Sequence, residues 1–269
     1  MDAIQRAALF HHLHRQAQPL MLPNVWDAGS ARLVESLGAA AIATTSAGVA
    51  WSLGYRDGNA LPVAEYLART AAIARVVALP LSVDIEGGYT DQAQALGETV
   101  ARFIGQGAVG INIEDGTGTP DLLCQKIDAA RSAAERCGVA LYINVRTDVY
   151  SRKLAPQDQR VEEVLARARR YRDAGADGLF VLGLTDAAEI GRVVAGTELL
   201  LNLAAWPGLA PAADLAALGV RRISAGSLIP QSLWTHAAAL ASGFLANGRS
   251  QPLLQHAAPY ADINARFPA

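Results

Sequence analysis

Short apolar runs alternate eight times along this chain with longer segments that have the spacing of amphipathic helices. Such alternation predicts parallel strands joined by crossover helices. Eight units within about 250 residues fit a closed (β/α)8 TIM barrel better than an open doubly wound sheet. No Gly-x-Gly-x-x-Gly follows the first run, which also argues against a dinucleotide-binding fold. The predicted strands span residues 20–26, 40–46, 81–86, 109–114, 141–147, 178–182, 199–204 and 222–225.

The rest of the chain adds two features to this plain barrel. Residues 1–269 contain no linker or low-complexity stretch, so we predict one domain with an extra C-terminal helical segment after Gly248. Residues 47–61, which follow the second predicted strand, form a long stretch with three glycines. A long glycine-containing connection at that position predicts a mobile lid.

Composition excludes several classes of partner. The charge is close to neutral, at −2 over 269 residues, and gives no basic footprint for nucleic acid or for an anionic membrane surface. No stretch is long and apolar enough to span a bilayer. Two cysteines, Cys124 and Cys137, are too few for a disulfide framework. We therefore expect a cytoplasmic protein that binds a small molecule and neither nucleic acid nor membrane.

Two of the predicted strands end in carboxylates that are followed by glycine. Asp84 and Glu86 close the third strand, and Glu114 closes the fourth. The ends of neighbouring parallel strands meet at one rim of the barrel, so these carboxylates are expected to lie together. Like charges gather in a pocket only with a counter-ion. Mg²⁺ is the simplest hard cation for such oxygen ligands, and Mn²⁺ is the alternative.

Other strand ends supply groups that suit an oxo acid. The chemistry of a (β/α)8 barrel lies at the carboxyl ends of its strands. Thr45 and Ser46 follow the second strand, Arg146 lies at the end of the fifth, and Asn202 lies on the seventh. A metal polarises a carbonyl as a Lewis acid, and a guanidinium binds a carboxylate with two parallel donors. This set predicts a substrate with a carboxylate beside a carbonyl oxygen.

Several of these residues also have purely structural interpretations. Asp27 precedes a helical segment and is interpreted as its N-cap. The structural interpretation of Arg146 is that it only neutralises Asp148 or Glu114, and that of Glu86 and Glu114 is that they are ordinary rim carboxylates. Two further groups are interpreted as solvated helix faces: the N-terminal histidines His11, His12 and His14, and the arginine-rich run 167–172.

Six segments of the chain, taken together, resemble the isocitrate lyase/phosphoenolpyruvate mutase superfamily. Any one of them alone is a weak signal, but all six occur in the order and spacing of that superfamily. The segments are Asn-Val-Trp-Asp-Ala-Gly-Ser-Ala-Arg at 24–32, Thr-Thr-Ser-Ala-Gly at 44–48, Leu-Gly-Tyr-Arg-Asp-Gly at 53–58, Asp-Ile-Glu-Gly-Gly-Tyr at 84–89, Gly-Ile-Asn-Ile-Glu-Asp at 110–115 and Asn-Val-Arg-Thr-Asp at 144–148.

The resemblance implies roles for particular residues. It implies Mg²⁺ bound directly by Asp84, with Glu86 and Glu114 acting largely through water. Ser46 and Ala47 would supply hydroxyl and backbone donors to bound oxygens, as Thr45 would beside them. Arg146 would bind the substrate anion, and Asp57 would close over it on a gating loop. The substrate would be a 2-oxo acid or a compound that becomes one, reacting through a pyruvate-like enolate.

The resemblance also implies an assembly. Superfamily barrels exchange their last helix between subunits, usually in tetramers built as dimers of dimers. We therefore expect a homo-oligomer in which the C-terminal helical segment packs on a neighbouring subunit.

Departures from the superfamily pattern narrow the expected reaction. The acidic cluster has Glu86 where the pattern has Asp. After Glu114, residues 116–119 read Gly-Thr-Gly-Thr, in place of the Cys motif of the lyases and of the Lys and Asn of the mutase branch. Cys124 comes too late to act as that cysteine. Decarboxylation of an oxaloacetate-like acid is the reaction expected, because CO₂ leaves without a general base from this loop. Carboxyphosphonoenolpyruvate or phosphoenolpyruvate mutase-like chemistry, 2-alkylmalate lyase chemistry and a low-turnover 2-oxo acid sensor are the alternatives.

Overall fold

The computed structural model describes residues 1–255 and 257–267, and its centre is a sheet of eight parallel strands. Each strand pairs with its neighbour around the sheet in the order β1-β8-β7-β6-β5-β4-β3-β2. The strands are β1 Leu20–Leu22, β2 Ile42–Ala43, β3 Leu81–Asp84, β4 Ala108–Glu114, β5 Tyr142–Thr147, β6 Gly178–Val181, β7 Leu200–Ala204 and β8 Arg222–Ser224.

The two ends of the sheet meet beyond β1 and β2. Val25 and Thr44 form an isolated parallel bridge there, and the Val25 amide donates to the Ala43 carbonyl at 2.8 Å. The sheet is therefore a nearly closed barrel, and the predicted (β/α)8 fold is confirmed.

Helices connect the strands and cover the outside of the barrel. The side chains of the strands that point outward pack beneath them in two apolar clusters. The helices are α1 Ala3–His14, α2 Ala28–Ser36, α3 Ser46–Ser52, α4 Val63–Val76, α5 Ala93–Gly105, α6 Pro120–Arg136, α7 Arg160–Asp173, α8 Ala187–Gly196, α9 Ala212–Ala217, α10 Leu228–Asn247, α11 Gln251–Leu254 and α12 Tyr260–Asn264.

The first two strands are shorter than predicted. β1 pairs with β8 only over Leu20–Leu22. Pro23 has no amide hydrogen for the side of β2, where the Val25 amide donates instead. The predicted lid is shorter as well, since Ser46–Ser52 is helix α3 and the irregular connection is confined to residues 53–62.

Helix α1 closes the amino-terminal end of the barrel. Phe10 is fully buried and lies so close to Gly110 of β4 that a Cβ there would stand 2.6 Å from the Phe10 ring. His14 is fully buried too and stacks on Tyr142 of β5 with ring centroids 3.9 Å apart. The prediction that the N-terminal histidines form a solvated face is therefore wrong for His14. His14 is buried by contact with Tyr142, which is distant in the sequence, so the local sequence does not predict its burial.

The inside of the barrel is unusually polar for this fold. Successive strand residues point alternately inward and outward, and on β4 and β5 the inward positions include Asn112 and Asn144. Asn144 donates to Asn112 at 2.9 Å and to Asn202 of β7 at 2.9 Å. Barrel interiors of this class are usually filled by branched apolar side chains. A polar interior of this kind needs internal hydrogen bonds to be stable.

Helix α10 leaves the barrel and exposes most of its length. It is rich in apolar residues over 20 positions, yet only Pro230 of the helix is buried. Leu233 and Trp234 are each about half exposed, at 51% and 52%. No helix within residues 1–255 or 257–267 combines the length and apolar character needed to cross a membrane. Exchange of helices between subunits stays a prediction.

Candidate active site

A cavity of about 450 Å³ lies at the carboxyl ends of the barrel strands. The strands and the segments after them supply its walls, so side chains from all around the barrel converge there. Six of the residues predicted for the site line this cavity. The whole lining has a polar side and an apolar side. The polar side includes Asn24, Thr45, Ser46, Asp57, Asp84, Asn112 and Arg146, with Ala47 beside them, and the apolar side includes Phe180, Leu182, Ala204, Ala205, Trp206 and Pro207.

The first turn of α3 brings backbone and hydroxyl donors to the cavity. Thr45 occupies the N-cap position, and Ser46 and Ala47 begin the helix. The Ser46 amide lies 3.3 Å from Oδ2 of Asp84, on the neighbouring strand. A Cβ on Gly48 would lie 2.7 Å from the Thr45 side chain and 3.0 Å from Trp26, so only glycine lets this turn pack so closely. The donors predicted from residues 45–47 therefore face the cavity together.

Asp84 lies at the end of β3, beneath the Ser46 amide. Its own amide donates to the Thr44 hydroxyl at 2.9 Å, and its carbonyl accepts from the Tyr66 hydroxyl at 2.9 Å. These bonds fix the backbone and leave the carboxylate directed at the cavity. Burial raises the pKa of Asp84, and the opposing attraction of Arg146 only partly offsets this.

Glu86 holds the connection between α3 and α4 over the site. Its Oε2 accepts from the Gly58 amide at 2.9 Å and also from the Asn59 amide, while Oε1 accepts from the Tyr89 hydroxyl at 3.2 Å. Glu86 itself has φ +52°, which is uncommon for a side chain of this size. Burial raises its pKa, and the Asn59 amide opposes the shift.

Asp57 lies on the same connection and lines the cavity. The neighbouring amides of Gly58 and Asn59 are bound to Glu86, so Asp57 is held over the opening. This is where the resemblance implies a gating aspartate. The structure therefore brings Asp57 to the predicted part of the site.

Arg146 projects from β5 between two carboxylates. Its Nη1 lies 2.8 Å from Oε2 of Glu114, and its Nε donates to Oδ1 of Asp148 at 2.8 Å. Burial lowers the pKa of Arg146, but Glu114, Asp148 and Asp84 outweigh this effect and leave the pKa raised. Arg146 thus forms ion pairs with both Glu114 and Asp148, as its structural interpretation predicted. It also lines the cavity.

Glu114 has a strongly raised pKa. Burial, together with repulsion from Asp84, Asp148 and Glu86, raises it to about 8 against the attraction of Arg146. The carboxylates of this rim therefore repel one another, as their positions in the sequence predicted.

Two aspartates behind the cavity fix the end of β5. Asp148 is fully buried and accepts from Arg146, Arg152 and Ser151. Asp115 accepts from the Thr147 hydroxyl at 2.7 Å and from the Asp148 amide at 2.9 Å.

Asp115 also binds α7. Arg167 donates to it at 2.8 Å and the Tyr171 hydroxyl at 2.9 Å. Arg167 is buried, so the interpretation of the run 167–172 as a solvated face is wrong at this position.

Asn202 lies deeper than the other predicted site residues. It is fully buried, accepts from Asn144 and donates to the Leu203 carbonyl at 2.7 Å. It is absent from the lining of the cavity within the described residues. Asn112, which the sequence reasoning did not single out, lines the cavity instead. Its signal in the sequence is a polar residue between Ile111 and Ile113, on the face of β4 that also bears Glu114.

Asp27 and the two cysteines lie outside the cavity lining, and Cys137 is exposed at the end of α6. The side chain of Asp27 accepts from the Ser30 amide at 2.7 Å, so it caps α2 as interpreted. Cys124 lies in α6, packs against the core and lines none of the cavities described within residues 1–255 and 257–267. The loop 116–119 borders a separate cavity of about 530 Å³, together with Glu114, Lys126 and Arg152.

The acidic residues fit a hard cation that keeps part of its water shell. Among the described residues, no three His, Cys, Asp or Glu side chains are grouped closely enough to hold a metal by themselves. Glu86 is bound to the loop amides and Glu114 to Arg146, whereas Asp84 turns toward the cavity. One direct carboxylate with others beyond the water shell is an arrangement that Mg²⁺ accepts. The set of oxygen donors therefore fits the implied ion.

Sequence comparisons with known proteins point to one family. The sequence profile described as phosphoenolpyruvate phosphomutase matches residues 10–245. A protein of Mycobacterium tuberculosis (strain ATCC 25618 / H37Rv) that has no assigned activity is 37% identical over 263 residues, or 96% of this chain and 95% of that protein. The oxaloacetate decarboxylase of Ectopseudomonas mendocina (strain ymp) is 30% identical over 241 residues, or 84% of this chain and 82% of the decarboxylase.

A solved structure extends the likeness to three dimensions. A protein of Burkholderia cenocepacia J2315, described as a candidate phosphonomutase, superposes with a TM-score of 0.84. It is 42% identical, and the match covers 88% of this chain and 99% of that one.

Proposed function

This chain belongs to the phosphoenolpyruvate phosphomutase family, in the isocitrate lyase/phosphoenolpyruvate mutase superfamily of lyases and mutases, and we propose that it acts on a small 2-oxo acid or related dicarboxylate through an enolate. The bond cleaved is the one that leaves its electrons on the substrate's carbonyl oxygen. One observation carries the proposal: Asp84, Arg146 and the donors of residues 45–47 face a single cavity.

The residues of the chain have distinct parts in this proposal. Arg146 binds the carboxylate of the acid, because its planar donors match two carboxylate oxygens. The Ser46 hydroxyl and the Ala47 amide donate to the adjacent oxygen, where negative charge develops as the bond breaks. Thr45 and Ala47 complete this side of the cavity, and Asp57 closes it against water.

Mg²⁺, or Mn²⁺ in its place, is the proposed cofactor. Asp84 would bind it directly, with Glu86 and Glu114 acting through water. When bound, the ion supplies Lewis-acid polarisation of the carbonyl.

Decarboxylation of oxaloacetate is the reaction that suits this site best. The bond between the methylene carbon and the departing carboxylate breaks, its electron pair passes to the ketone oxygen, and CO₂ leaves with an enolate of pyruvate behind it. Solvent then protonates the carbon. This sequence needs no general base before cleavage, and the loop 116–119 offers none. The 30% identical decarboxylase supports the same choice.

Cleavage or transfer at a phosphorus–carbon bond is the second candidate. The 42% identical candidate phosphonomutase favours it. Lyase action on 2-alkylmalates needs a proton acceptor that the loop does not supply. A sensor that binds 2-oxo acids with little turnover agrees with the missing acid/base but gives no reason for the Asp57 lid.

A substrate panel tests these alternatives. Purified protein with Mg²⁺ is offered oxaloacetate, phosphonopyruvate, isocitrate and 2-alkylmalates, and pyruvate or glyoxylate release is followed. Protein-free Mg²⁺ controls are needed because the ion alone promotes oxaloacetate decarboxylation. We expect oxaloacetate to be the best substrate, with activity lost in EDTA and restored by Mg²⁺ or Mn²⁺. Isocitrate turnover at a comparable rate would contradict the proposal, and metal-dependent binding without turnover would favour the sensor.

One substitution tests the metal assignment directly. Asp84→Asn keeps the shape of the side chain but removes its charge, so Mg²⁺ stimulation is expected to disappear. Asp173→Asn, an exposed change far from the cavity, serves as the matched control. If Asp84→Asn retained both Mg²⁺ binding by calorimetry and turnover, the assignment of the site would be wrong.

The same family supports a proposal about assembly. Helix α10 is apolar and exposed, and its N-cap Ser227 and first-turn residues Leu228 and Gln231 border the cavity. We propose that this helix is buried against a neighbouring subunit in a homo-oligomer, a tetramer formed as a dimer of dimers.

A further inference from the structure

A buried arginine lies across the interior of the barrel from the acidic rim. Arg222 of β8 is about 1% exposed, and its Nη2 donates to Oδ1 of Asn112 on β4 at 3.1 Å. These strands lie on opposite sides of the barrel. Asn144 donates to the same oxygen at 2.9 Å. Two donors therefore occupy the carbonyl oxygen of the Asn112 amide.

This double contact determines which end of the amide faces the cavity. A side-chain amide oxygen has two lone pairs, and both are engaged here. The amide nitrogen is then directed toward the cavity, which Asn112 lines beside Asp84 and Arg146. We find no acceptor for that nitrogen within residues 1–255 and 257–267. Its hydrogens are available to a ligand.

The positive charge of Arg222 has no carboxylate partner in the part of the chain that the structure describes. Its Nε and Nη1 are buried without hydrogen-bond partners. A buried guanidinium of this kind is costly unless something compensates it. Burial lowers the pKa of Arg222 to about 10, while Tyr142 and Asp84 oppose the shift. The charge lies beneath the floor of the cavity and favours an anion above it.

We propose that Asn112 is a substrate-binding residue, whose amide donates to an oxygen of the bound acid at the floor of the cavity. Arg222 and Asn144 are positioning residues that hold the amide in this orientation. The inference rests on the proposed function, because it names a further contact to the same 2-oxo acid. It selects ligands with a carboxylate or carbonyl oxygen at their inner end, since the opposite wall, with Phe180 and Trp206, is apolar.

The substitution Asn112→Asp separates binding from stability. It replaces the donor that faces the cavity with a carboxylate, so affinity for an anion is expected to fall at least about tenfold. The same change gives Arg222 a counter-ion, so the melting temperature is expected to stay unchanged or rise. Asn112→Ala removes the acceptor from both donors and is expected to lower affinity and melting temperature together. If Asn112 had a purely structural role, Asn112→Asp would not lower affinity while leaving the melting temperature unchanged or higher.

Calorimetry with oxalate and Mg²⁺ provides the readout, together with thermal unfolding. Oxalate is stable and has the planar, doubly anionic shape of an enolate of pyruvate. Asn264→Asp makes the same chemical change on an exposed helix and should match the wild type. Arg222→Met should weaken oxalate binding less than Asn112→Asp does, because Asn144 still holds the amide.

The outcomes distinguish this inference from the function on which it rests. If wild-type protein binds oxalate and Asn112→Asp binds it equally well, the assignment of Asn112 is overturned and the proposed function stands. It is also overturned if Asn112→Asp loses affinity and melting temperature in step. If the wild type binds no oxalate with Mg²⁺, the proposed function fails and takes this inference with it.

Discussion

Asp148 is the residue on which the orientation of Arg146 depends. Its Oδ1 accepts from Nε of Arg146 at 2.8 Å and its Oδ2 from Nη2 at 3.0 Å, and it is fully buried. Two parallel bonds hold a planar guanidinium in one plane. The other edge of the guanidinium, whose Nη1 also pairs with Glu114 at 2.8 Å, is therefore held in one orientation in the cavity wall.

We expect Asp148→Asn to disturb ligand binding more than the fold. The amide has nearly the same shape but cannot accept two charged bonds, so Arg146 keeps Glu114 as a charged partner and loses the bonds that fix its plane. The loss of one charged hydrogen bond corresponds to about a tenfold to hundredfold decrease in kcat/KM. Steady-state kinetics on the best substrate of the panel measures it, with KM expected to rise. Ser151→Ala, which removes a 2.9 Å bond to the same carboxylate, is the control, and a variant within twofold of wild type would refute the role.

The sequence predicted the charged residues at the rim of the barrel but not the buried ion pair behind Arg146. Asp84, Glu114 and Arg146 were recognisable because each ends an apolar run at a position that the fold directs to one rim. The buried pair of Asp115 and Arg167 was not, because its members are 52 residues apart. An arginine among other arginines on a helix has the same local pattern whether it is solvated or buried.

At the scale of elements, Glu86 determines the position of the connection at residues 53–62. Its carboxylate binds the amides of Gly58 and Asn59, and φ +52° at Glu86 turns the side chain toward them. An aspartate here, as in the superfamily pattern, has a shorter side chain. The longer glutamate reaches the Gly58 and Asn59 amides of this connection, the predicted lid.

Glu86→Ala is expected to release the lid. The Gly58 and Asn59 amides lose their charged acceptor, so their hydrogen exchange should accelerate at least about tenfold. Exchange measured by mass spectrometry on peptides spanning 53–62 tests this. Tyr89→Phe removes only the 3.2 Å hydrogen bond that the Tyr89 hydroxyl donates to the same carboxylate. It should leave these amides protected. Equal protection in wild type and Glu86→Ala would show that other contacts hold the lid.

Helix α1 makes the stability of the protein depend on pH through His14. Burial, together with the charges of Arg222 and His11, lowers the pKa of His14 to about 3, against the opposing effect of the Phe10 carbonyl. The unfolded chain takes up a proton near pH 6.5, whereas the folded protein resists it down to about pH 3. This contribution to stability is complete above pH 6.5 and is lost as the pH falls toward 3.

His14→Phe is expected to flatten that dependence. It retains a ring against Tyr142 but cannot be protonated, so the slope of unfolding free energy below pH 6.5 should decrease by up to about 1.4 kcal/mol per pH unit. Urea unfolding between pH 4 and 8 measures the slope. His12→Gln, on the exposed side of the same helix, should retain the wild-type slope. An unchanged slope in His14→Phe would contradict the burial of a neutral ring.

The whole molecule explains why the fold was easier to predict than the site. Barrel topology follows from a repeated local pattern, and each unit signals its own strand and helix. The inner polar layer depends on closure, since Arg222 of β8 reaches Asn112 of β4 only when all eight strands are in place. A strand that alternates Ile111, Asn112 and Ile113 predicts an inward polar group. The partner of that group is determined by the closed barrel.

Assembly is the remaining prediction at this scale. A helix that is apolar all round is normally buried, yet α10 exposes Leu233 and Trp234. Burial of these side chains between subunits would remove the exposed apolar surface. We therefore expect wild-type protein to elute as a tetramer in size-exclusion chromatography with light scattering.

The double substitution Leu233→Glu and Trp234→Glu tests this expectation. It would place two charges in an apolar interface, where each unpaired charge costs several kcal/mol, so the tetramer should dissociate to smaller species at the same protein concentration. Leu37→Glu makes the same kind of change at another exposed leucine, at the end of α2 and 73% exposed, and should leave the mass unchanged. A monomeric wild type, or a tetramer that tolerates both charges, would show that α10 is not the interface. Because the first turn of α10 borders the cavity, dissociation is also expected to raise KM, which links the assembly to the site.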